Sequence, residues 1–376
     1  KRAYLGGAYR YDRTCRAVPR AESDRRAAAG EPFTIRFLVP DGVTSWDDAV
    51  HGRIQVENQS IDDFVVLRTD GTPIYNLAVV SDDIEHRITH VIRGDDHISN
   101  TPKQILLYQA LGRPLPTFAH VPMILGSDGK RLSKRHGATA VGEYQYQGIL
   151  PEALRNFLAL LGWSPGDDRE ILPVDELIQL FSLEGINRKS AVFDLAKLEW
   201  MNGQYISASS AQRLEPLVTP VLVSAGITSA RALDARRDWY YSVIDLVKPR
   251  ARTLQDLAEQ ARPFLAEQIE YAPDAVQKYW KDAAQATSHL DALRQHFVKL
   301  TEWTPAALEE ELRKLAEGLG VAAGKLIHPL RVALVGTTVS PGIFDVLAVL
   351  GREISLRRID AAIERLRPGN LPSNPA

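Results

Sequence analysis

The chain has 376 residues, of which 45% are hydrophobic, and a formal net charge of -2. This length allows two or three domains with buried cores, and the composition excludes a disordered protein. Because the chain as a whole is not basic, any binding of nucleic acid must depend on local basic clusters.

Two further properties bear on the compartment. No run approaches the roughly 18 uninterrupted apolar residues of a membrane-spanning helix, and residues 1–16 are too polar for a signal peptide. The single cysteine, Cys15, excludes an internal disulfide and a cysteine-rich metal site. We therefore predict a cytoplasmic protein, whose thiol stays reduced.

Short β-rich runs come first along the chain. Residues 33–39 (FTIRFLV) and 64–67 are separated by turn-forming residues such as Asp41-Gly42 and Asp70-Gly71. We predict a strand in each run.

Apolar runs at 74–80 and 88–93 precede a segment of helical periodicity that begins at Thr101-Pro102 and ends at Leu111-Gly112. Thr101 as N-cap, Pro102 as the first helical residue and Gly112 after the last turn are typical helix boundaries. A strand followed by a helix predicts an α/β layer with parallel strands.

Beyond Leu150 the sequence predicts helices almost throughout. Helical periodicity covers residues 151–161, 174–181, 191–201, 233–247 and 305–319. We expect proline and glycine to divide this half into the short helices of a bundle or superhelix, with breaks at Pro249, Pro263, Pro273, Pro329 and Pro341-Gly342.

A basic loop occupies residues 126–137 (GSDGKRLSKRHG). Attack at an α-phosphate with departure of pyrophosphate builds negative charge on several oxygens, which mobile ammonium and guanidinium groups stabilise. Lys134 is the main candidate for this task. The alternative is a solvated basic hairpin tip, which a run of this kind forms more often than a site.

A second polar run, residues 93–97 (RGDDH), lies between a predicted strand and the helix at Thr101. In open α/β sheets, ligands bind just beyond the carboxyl ends of strands. Arg93 could pair with a carboxylate through two parallel hydrogen bonds, and Asp96 or His97 could contact a ribose or a base. The alternative is an ordinary turn whose aspartates cap the next helix.

The order of strand, RGDDH, helix, basic loop and helical second half resembles a bacterial glutamyl-tRNA synthetase, a class I aminoacyl-tRNA synthetase. The resemblance covers nearly the whole chain. Its supporting runs are residues 70–78 (DGTPIYNLA), 89–93 (THVIR), 150–156 (LPEALRN) and 198–203 (LEWMNG). It implies a partial Rossmann-like α/β catalytic domain with an α+β insertion, followed by an all-α anticodon-binding superhelix.

This resemblance divides the chain into four parts. They are the remainder of an acceptor-binding insertion (1–72), the second half of the nucleotide-binding catalytic domain (73–145), a connecting helical domain that contacts the tRNA stem (146–210) and a helical anticodon-binding domain (211–376).

One signature of class I synthetases, a His-x-Gly-His-like segment after the first strand, has no match here, because His51-Gly52 lies in a different context. We therefore expect the N-terminal part of the catalytic domain to be absent from this sequence. We also expect the 376-residue chain alone to bind tRNA weakly without forming glutamyl adenylate.

The reaction that the resemblance implies is that of a glutamate-tRNA ligase. L-glutamate is activated by ATP to glutamyl adenylate and transferred to the 3′ end of tRNA(Glu), releasing diphosphate and AMP. Mg²⁺ is expected to accompany ATP, and the family expectation is a monomer.

The resemblance also implies site residues in the first half. Tyr75, Val79 and Arg93 match the glutamate pocket, with Arg93 as the cation for a substrate carboxylate. Val79 departs from the pattern if a polar residue is usual there. Asp96 and His97 match positions beside ATP.

Residues 132–135 of the basic loop match the signature loop of the family. Leu132, Lys134 and Arg135 are therefore assigned to ATP binding, with Lys134 as the second lysine, and Lys134, Ser133 and Arg131 to catalysis. Arg131 stands where the first lysine is usual, which keeps the charge but replaces a compact ammonium by a planar fork.

In the helical half, residues 248–252 (KPRAR) match a motif whose second basic residue, here Arg250, reads the anticodon in members restricted to the glutamate tRNA. Arg252 is assigned to the same surface, since arginine suits readout of a base edge or stacking on an unpaired base. Candidate phosphate contacts are Arg231, Arg236, Arg237, Arg352, Arg357 and Arg358. The alternative is solvated helix faces, and four tryptophans are predicted to pack between helices, namely Trp200, Trp239, Trp280 and Trp303.

Cys15 matches one ligand of a zinc site found in some relatives, but Ala17 stands where the second ligand is expected. Zinc needs about four ligands, so no zinc is predicted.

Three rivals to the glutamyl enzyme come from other classes of protein. The helical second half argues against a glutaminyl enzyme, which would end in β-barrels, and against a short paralogue that glutamylates a modified tRNA base. A non-catalytic RNA-binding fragment stays open, and Arg250 favours charging of tRNA(Glu) over tRNA(Gln).

Overall fold

The computed structural model describes residues 2–5, 8–133 and 140–367. The chain divides into two compact units. Unit 1 contains residues 1–138 and 158–194, and unit 2 contains residues 139–157 and 195–376.

Unit 1 combines short strands with helices. Its strands are β1 (Arg2–Leu5), β2 (Ala8–Tyr11), β3 (Ile35–Arg36), β4 (Val43–Asp48), β5 (Gly52–Glu57), β6 (Val65–Leu67), β7 (His90–Gly94), β8 (Thr117–Val121), β9 (Ile124–Leu125) and β10 (Ala191–Val192). Its helices are α1 (Arg20–Ala28), α2 (Tyr75–Glu85), α3 (Thr101–Ala110), the last three residues of α4 (Pro151–Leu160), and α5 (Val174–Leu180). The predicted strands at 33–39 and 64–67 are confirmed in shorter form, because β3 and β6 pair antiparallel.

The central sheet has the strand order β5-β4-β8-β7. β4 and β5 form an antiparallel hairpin, whereas β8 is parallel to both β4 and β7. Alternate residues of β4 are buried, and Trp46 packs with Ile105 of α3 and Phe118 of β8. The parallel α/β layer is therefore confirmed, and it brings the ends of β4, β7 and β8 to one region of the sheet.

Two predicted helix starts in unit 1 are wrong in detail. A 3₁₀ turn, Asp95–Asn100, runs directly into α3, so Thr101 is already helical and is not the N-cap. Its hydroxyl is buried against Arg93 and His120. The predicted helix 191–201 loses its first residues to β10, which pairs with β9 and leaves α6 to begin at Leu195.

Among the described residues of unit 2, every regular element is a helix. After the first residues of α4 come α6 (Leu195–Ala208), α7 (Ala211–Ser224), α8 (Ala230–Asp234), α9 (Arg237–Val247), α10 (Leu254–Leu265), α11 (Pro273–Tyr279), α12 (Ala283–Lys299), α13 (Pro305–Gly318), α14 (Gly324–Val335) and α15 (Ile343–Leu366). One hydrophobic cluster runs through these helices. Leu308, Leu312 and Leu315 of α13 illustrate the helical spacing that places apolar side chains on the buried face.

The predicted proline breaks are right at some positions and wrong at others. Pro273 begins α11 and Pro341-Gly342 precedes α15, as expected, but Pro263 and Pro329 lie inside α10 and α14. Pro329 cannot donate to the carbonyl of Lys325 four residues earlier. That carbonyl instead accepts a hydrogen bond from His289 Nδ1 at 3.2 Å, so α14 continues.

Three of the four tryptophans are confirmed as packing residues. The indole N–H groups of Trp239, Trp280 and Trp303 donate to backbone carbonyls of other helices. Across the described ranges, no helix has both the length and the apolar character that a membrane crossing requires.

Candidate functional site

Arg93 is half-buried near the carboxyl end of β7. Its Nε donates to Nε2 of His120 at 3.2 Å, and one terminal nitrogen donates to Oγ1 of Thr101 at 2.8 Å. Within the described part of the chain, no carboxylate forms an ion pair with Arg93. The charges of Asp83 and Asp48 act on Arg93 without forming an ion pair. A fixed guanidinium that no described carboxylate contacts is suited to bind an anionic ligand.

Tyr75 and Val79 lie in α2, which begins at Tyr75. The Tyr75 side chain is 48% exposed, and its ring centre lies 6.3 Å from that of His97. Burial is the main cause that lowers the pKa of Arg93, whereas the neighbouring Tyr75 opposes the shift. Tyr75, Arg93 and His97 therefore surround one region, while Val79, one turn further along α2, offers an apolar side chain.

The RGDDH run forms the last residues of β7 and the start of the 3₁₀ turn. A Cβ atom at Gly94 would lie 2.6 Å from Oδ1 of Asp96, so any other residue there would force this carboxylate to move. The turn thus directs Asp96 back beside the end of β7.

The basic loop begins as a hairpin. Gly126 N–H donates to the carbonyl of Lys130, Gly129 adopts a φ of +71°, and Leu132 N–H donates to the carbonyl of Ile124 in β9. Arg131 forms an isolated antiparallel bridge with Leu125. The chain therefore reverses at residues 126–130 and returns alongside β9.

The hairpin and the RGDDH turn meet through an ion pair. Arg131 lies 3.2 Å from Oδ2 of Asp96, and the two side chains are 69% and 34% exposed. A pair this exposed contributes little to stability, but it links two predicted site segments that are more than 30 residues apart in sequence.

The structure describes only some of the remaining predicted residues of the loop. Leu132 and Ser133 are half-buried and follow the hairpin. Lys134 and Arg135, which carry the main ATP assignment, lie outside the described residues. Among the described residues, no group of three or more His, Cys, Asp or Glu side chains is arranged to hold a metal ion.

Three buried residues that support Arg93 were not assigned to the site from the sequence. They are Asp48 at the end of β4, Thr101 at the start of α3 and His120 in β8, each at most 3% exposed. A histidine within the apolar run of β8 was the available signal, but its partner depends on strand pairing. Sequence spacing alone does not reveal that pairing.

Unit 2 contains a separate open cleft of about 1090 Å³. Arg250, exposed at the end of the 3₁₀ turn Lys248–Arg250, contributes to its lining together with Tyr271, Ser340 and Pro341. A cation beside aromatic and apolar side chains suits an unstacked base. Arg252 is also exposed, but it is not among the residues that line this cleft.

Arg331 of α14 is a cation near Arg250 that the sequence did not single out. Its Nε donates to Oγ of Ser340 at 2.9 Å. Burial lowers the pKa of Arg331, and the charge of Arg250 lowers it further. The two guanidinium groups therefore act on each other in one part of unit 2.

The predicted phosphate contacts have different surroundings. Arg231, Arg236, Arg237 and Arg357 are exposed. The prediction for Arg358 is wrong, because its guanidinium is buried and donates to the carbonyls of Leu334 and Ala266. Burial lowers the pKa of Arg358 to about 10.

Arg352 is half-buried and also has partners within unit 2. One of its terminal nitrogens donates to the carbonyl of Leu300, and its guanidinium lies 5.3 Å from the ring centre of Trp303. A phosphate contact by Arg352 would have to compete with these interactions.

Comparison with known proteins finds matches over both halves of the chain. Residues 4–200 match the catalytic domain of the class I tRNA synthetases (E and Q), and residues 210–363 match an anticodon binding domain. Glutamate–tRNA ligase 2 of Koribacter versatilis is 48% identical over 361 residues, which cover 96% of this chain and 74% of that protein. The glutamate–tRNA ligase of Moorella thermoacetica is 42% identical over 358 residues, covering 95% of this chain and 73% of that protein.

A crystal structure of a glutamate tRNA ligase from Elizabethkingia meningosepticum, in complex with its amino acid, aligns with a TM-score of 0.84 at 31% sequence identity. The alignment covers 96% of this chain and 75% of that one. The resemblance inferred from the sequence motifs is confirmed, and the chain belongs to the glutamate–tRNA ligases, within the class I tRNA synthetases of glutamate and glutamine.

Proposed function

We propose that this chain contributes three groups of residues to the glutamate–tRNA ligase reaction: those around the end of β7, the hairpin at 126–130 and the cleft of unit 2. The family supplies the reaction, in which ATP activates L-glutamate and the glutamyl group is transferred to tRNA(Glu). The observation that carries the assignment of residues is the contact between Arg131 and Asp96. It links the ATP-loop candidate to the turn that follows Arg93.

Arg93 is proposed to bind a carboxylate of glutamate. Its Nε and one terminal nitrogen are held by His120 and Thr101, and no described carboxylate forms an ion pair with it. A substrate carboxylate can therefore approach a cation that is already oriented, which lowers the entropic cost of binding. The exposed Tyr75 is proposed as the wall of this pocket.

The signature loop is proposed to act on ATP. When a glutamate carboxylate oxygen attacks the α-phosphorus, the bond to the departing pyrophosphate breaks and charge accumulates on the leaving oxygens. Lys134 and Ser133 are proposed to stabilise that charge, and Arg131 to fix the base of the loop through Asp96. Asp96 and His97 are proposed to border the nucleotide, as are Leu132 and Arg135.

Mg²⁺ is proposed to arrive with the ATP phosphates. The described residues offer no three-ligand cluster, which fits an ion bound mainly by substrate oxygens, water and one or two carboxylates. Asp95 and Asp96 are the carboxylates nearest in sequence to Arg93. When bound, the ion neutralises part of the phosphate charge.

The cleft of unit 2 is proposed to read the anticodon. It lies within the range that matches an anticodon binding domain, and Arg250 contributes to its lining. Arg331 is proposed as a second cation near Arg250, and Arg252 as a contact outside the cleft. A monomer in the cytoplasm, divided into four parts at residues 72, 145 and 210, remains our proposal for the organisation of the protein.

The direct test measures glutamate-dependent exchange of pyrophosphate into ATP and charging of tRNA(Glu), with protein expressed from its complete reading frame. We expect both activities with glutamate and neither with glutamine. Exchange that depends on a different amino acid would overturn the proposal. Binding of tRNA(Glu) without any exchange would favour the RNA-binding alternative.

A further inference from the structure

We propose that Asp48 and His120 position Arg93 for the substrate carboxylate, an inference that rests on the proposed role of Arg93. The three residues lie on three neighbouring strands of the central sheet, namely β4, β8 and β7. Arg93 and His120 are paired in register between parallel strands, so their side chains leave the sheet on the same face.

Asp48 is the buried anion among these three residues, at 3% exposure. Oδ1 accepts hydrogen bonds from the backbone N–H groups of Val50, His51 and His120 at 3.1, 3.1 and 3.2 Å. Oδ2 lies 2.5 Å from Nδ1 of His120. Burial by itself would raise the pKa of Asp48, but these hydrogen bonds outweigh it and hold the pKa below its ordinary value. The carboxylate is therefore ionised and accepts a hydrogen bond from Nδ1–H of His120.

His120 is fully buried and connects Asp48 to Arg93. Burial lowers its pKa, and the charges of Arg93 and His51 add to this effect, whereas Asp48 opposes it. The ring is neutral, with its proton on Nδ1, so Nε2 keeps a lone pair. That lone pair accepts from Nε of Arg93, and Thr101 Oγ1 lies 3.1 Å from the same nitrogen.

A neutral acceptor can fix Arg93 without neutralising it. A carboxylate in the position of His120 would pair with the guanidinium and compete with the substrate. The imidazole instead fixes the Nε edge of the fork, and the anionic Asp48 lies behind the ring. Asp48 thus fixes the tautomer of His120, and His120 fixes the orientation of Arg93. Other binding sites are supported in the same way by a second layer of residues.

Two substitutions of His120 separate positioning from folding. The amide nitrogen of His120→Asn can replace Nδ1 and donate to Asp48, but this variant has no acceptor for Arg93. The amide oxygen of His120→Gln can replace Nε2 and accept from Arg93, but this variant loses the donor to Asp48. The first keeps the buried ionic contact, and the second keeps the contact with Arg93.

The readouts are KM for glutamate, KM for ATP and kcat in pyrophosphate exchange, together with the melting temperature. We expect His120→Asn to raise KM for glutamate about tenfold, and His120→Gln to raise it by less than about threefold. KM for ATP should stay unchanged in both. His120→Gln should have the lower melting temperature, because Asp48 loses a buried donor. If KM for glutamate changes in step with the melting temperature, or is equal in the two variants, then Asp48 and His120 only support the fold.

Thr44→Val is the matched control. Thr44 lies in the same strand as Asp48 and donates a buried hydrogen bond to Asn58 at 2.6 Å, which has no connection to Arg93. Thr44→Val should lower the melting temperature without changing KM for glutamate.

Arg93→Ala distinguishes the proposed role of Arg93 from the positioning role of Asp48 and His120. If Arg93→Ala leaves KM for glutamate unchanged, the proposed role of Arg93 fails. If Arg93→Ala raises it but His120→Asn does not, only the positioning role fails.

Discussion

The two units use arginine in opposite ways. In unit 1, Arg93 is half-buried and fixed by His120 and Thr101 before any ligand arrives. In unit 2, Arg250 is exposed beside an open cleft, whereas Arg331 and Arg358 are held by neighbouring groups. A fixed arginine suits a small substrate with two carboxylates, for which orientation decides affinity, whereas an exposed arginine can adapt to a flexible nucleotide.

This difference between the two units predicts which substitutions should alter ligand binding and which should alter stability. Around Arg93, changes in residues that never touch substrate should alter binding of glutamate. Around Arg250, only residues in direct contact with tRNA should matter. Arg358, deep in the helices, should affect stability alone.

The largest effect is expected for Arg93→Ala. Loss of the cation removes a charge-assisted pair with the substrate carboxylate, so kcat/KM for glutamate should fall on the order of 100-fold or more. KM for ATP should change little. Arg93→Lys is the control, since it keeps the charge but loses the fork, and it should recover part of the activity. Equal loss for glutamate and ATP would instead indicate a collapsed site.

A stability effect is expected for Arg358→Met. The carbonyls of Leu334 and Ala266 would lose their donor, and we expect the free energy of unfolding to fall by about 2 kcal/mol, after some relief from removing a buried charge. Urea unfolding followed by circular dichroism measures this. Arg357→Met, on the exposed neighbour, should leave stability unchanged. Reduced tRNA affinity in a fully folded Arg358→Met protein would restore the phosphate contact predicted from the sequence.

Arg250→Gln is expected to weaken discrimination. Loss of a base contact by arginine costs about 1–3 kcal/mol, so kcat/KM for tRNA(Glu) should fall roughly 10- to 100-fold, while glutamate activation without tRNA stays constant. Arg252→Gln should have a smaller effect, because Arg252 does not line the cleft. Charging assays with tRNA(Glu) and tRNA(Gln) test both variants. Equal charging of both tRNAs by the wild type would contradict the assignment of Arg250.

The sequence was most informative where function depends on neighbours along the chain. RGDDH is a local turn, and Gly94 and Asp96 approach each other only two residues apart. The basic loop is likewise a local hairpin. Their contact through Arg131 and Asp96 could be expected from family order, but not from spacing, because it depends on how β7 and β9 are placed in the fold.

The sequence alone does not reveal which residues meet across a sheet or which face of a long helix is buried. His120 meets Arg93 because β7 and β8 pair in one register, and a shift by one residue would turn His120 to the other face. Arg357 and Arg358 are adjacent and chemically identical, yet successive helical residues point in different directions, and only Arg358 is buried. Pro329 stays within α14 because a distant histidine supplies the missing donor.

The smallest effect expected is a dependence of unit 1 stability on pH. Burial lowers the pKa of His120 below the ordinary value of 6.5, so the unfolded chain binds its proton first as the pH falls. Stability should therefore be complete above about pH 6.5 and decrease below it by at most about 1.4 kcal/mol per pH unit, until the pKa of the folded state is reached. Asp48, whose pKa is also lowered, should add a loss of the same sign below its ordinary value of 3.8.

Hydrogen exchange of peptides covering β7 and β8, corrected for intrinsic rates between pH 5 and about 7, isolates this effect. His120→Gln should remove the part of the dependence that begins near pH 6.5. His328→Gln is the control in unit 2, because burial also lowers the pKa of His328, and it should change exchange only in unit 2. An unchanged dependence in His120→Gln would mean that folding does not shift the pKa of His120, so the folded protein would protonate this histidine below about pH 6.5. Its Nε2 would then carry a proton toward Arg93, and the two cations would repel each other where we propose that a lone pair holds the arginine.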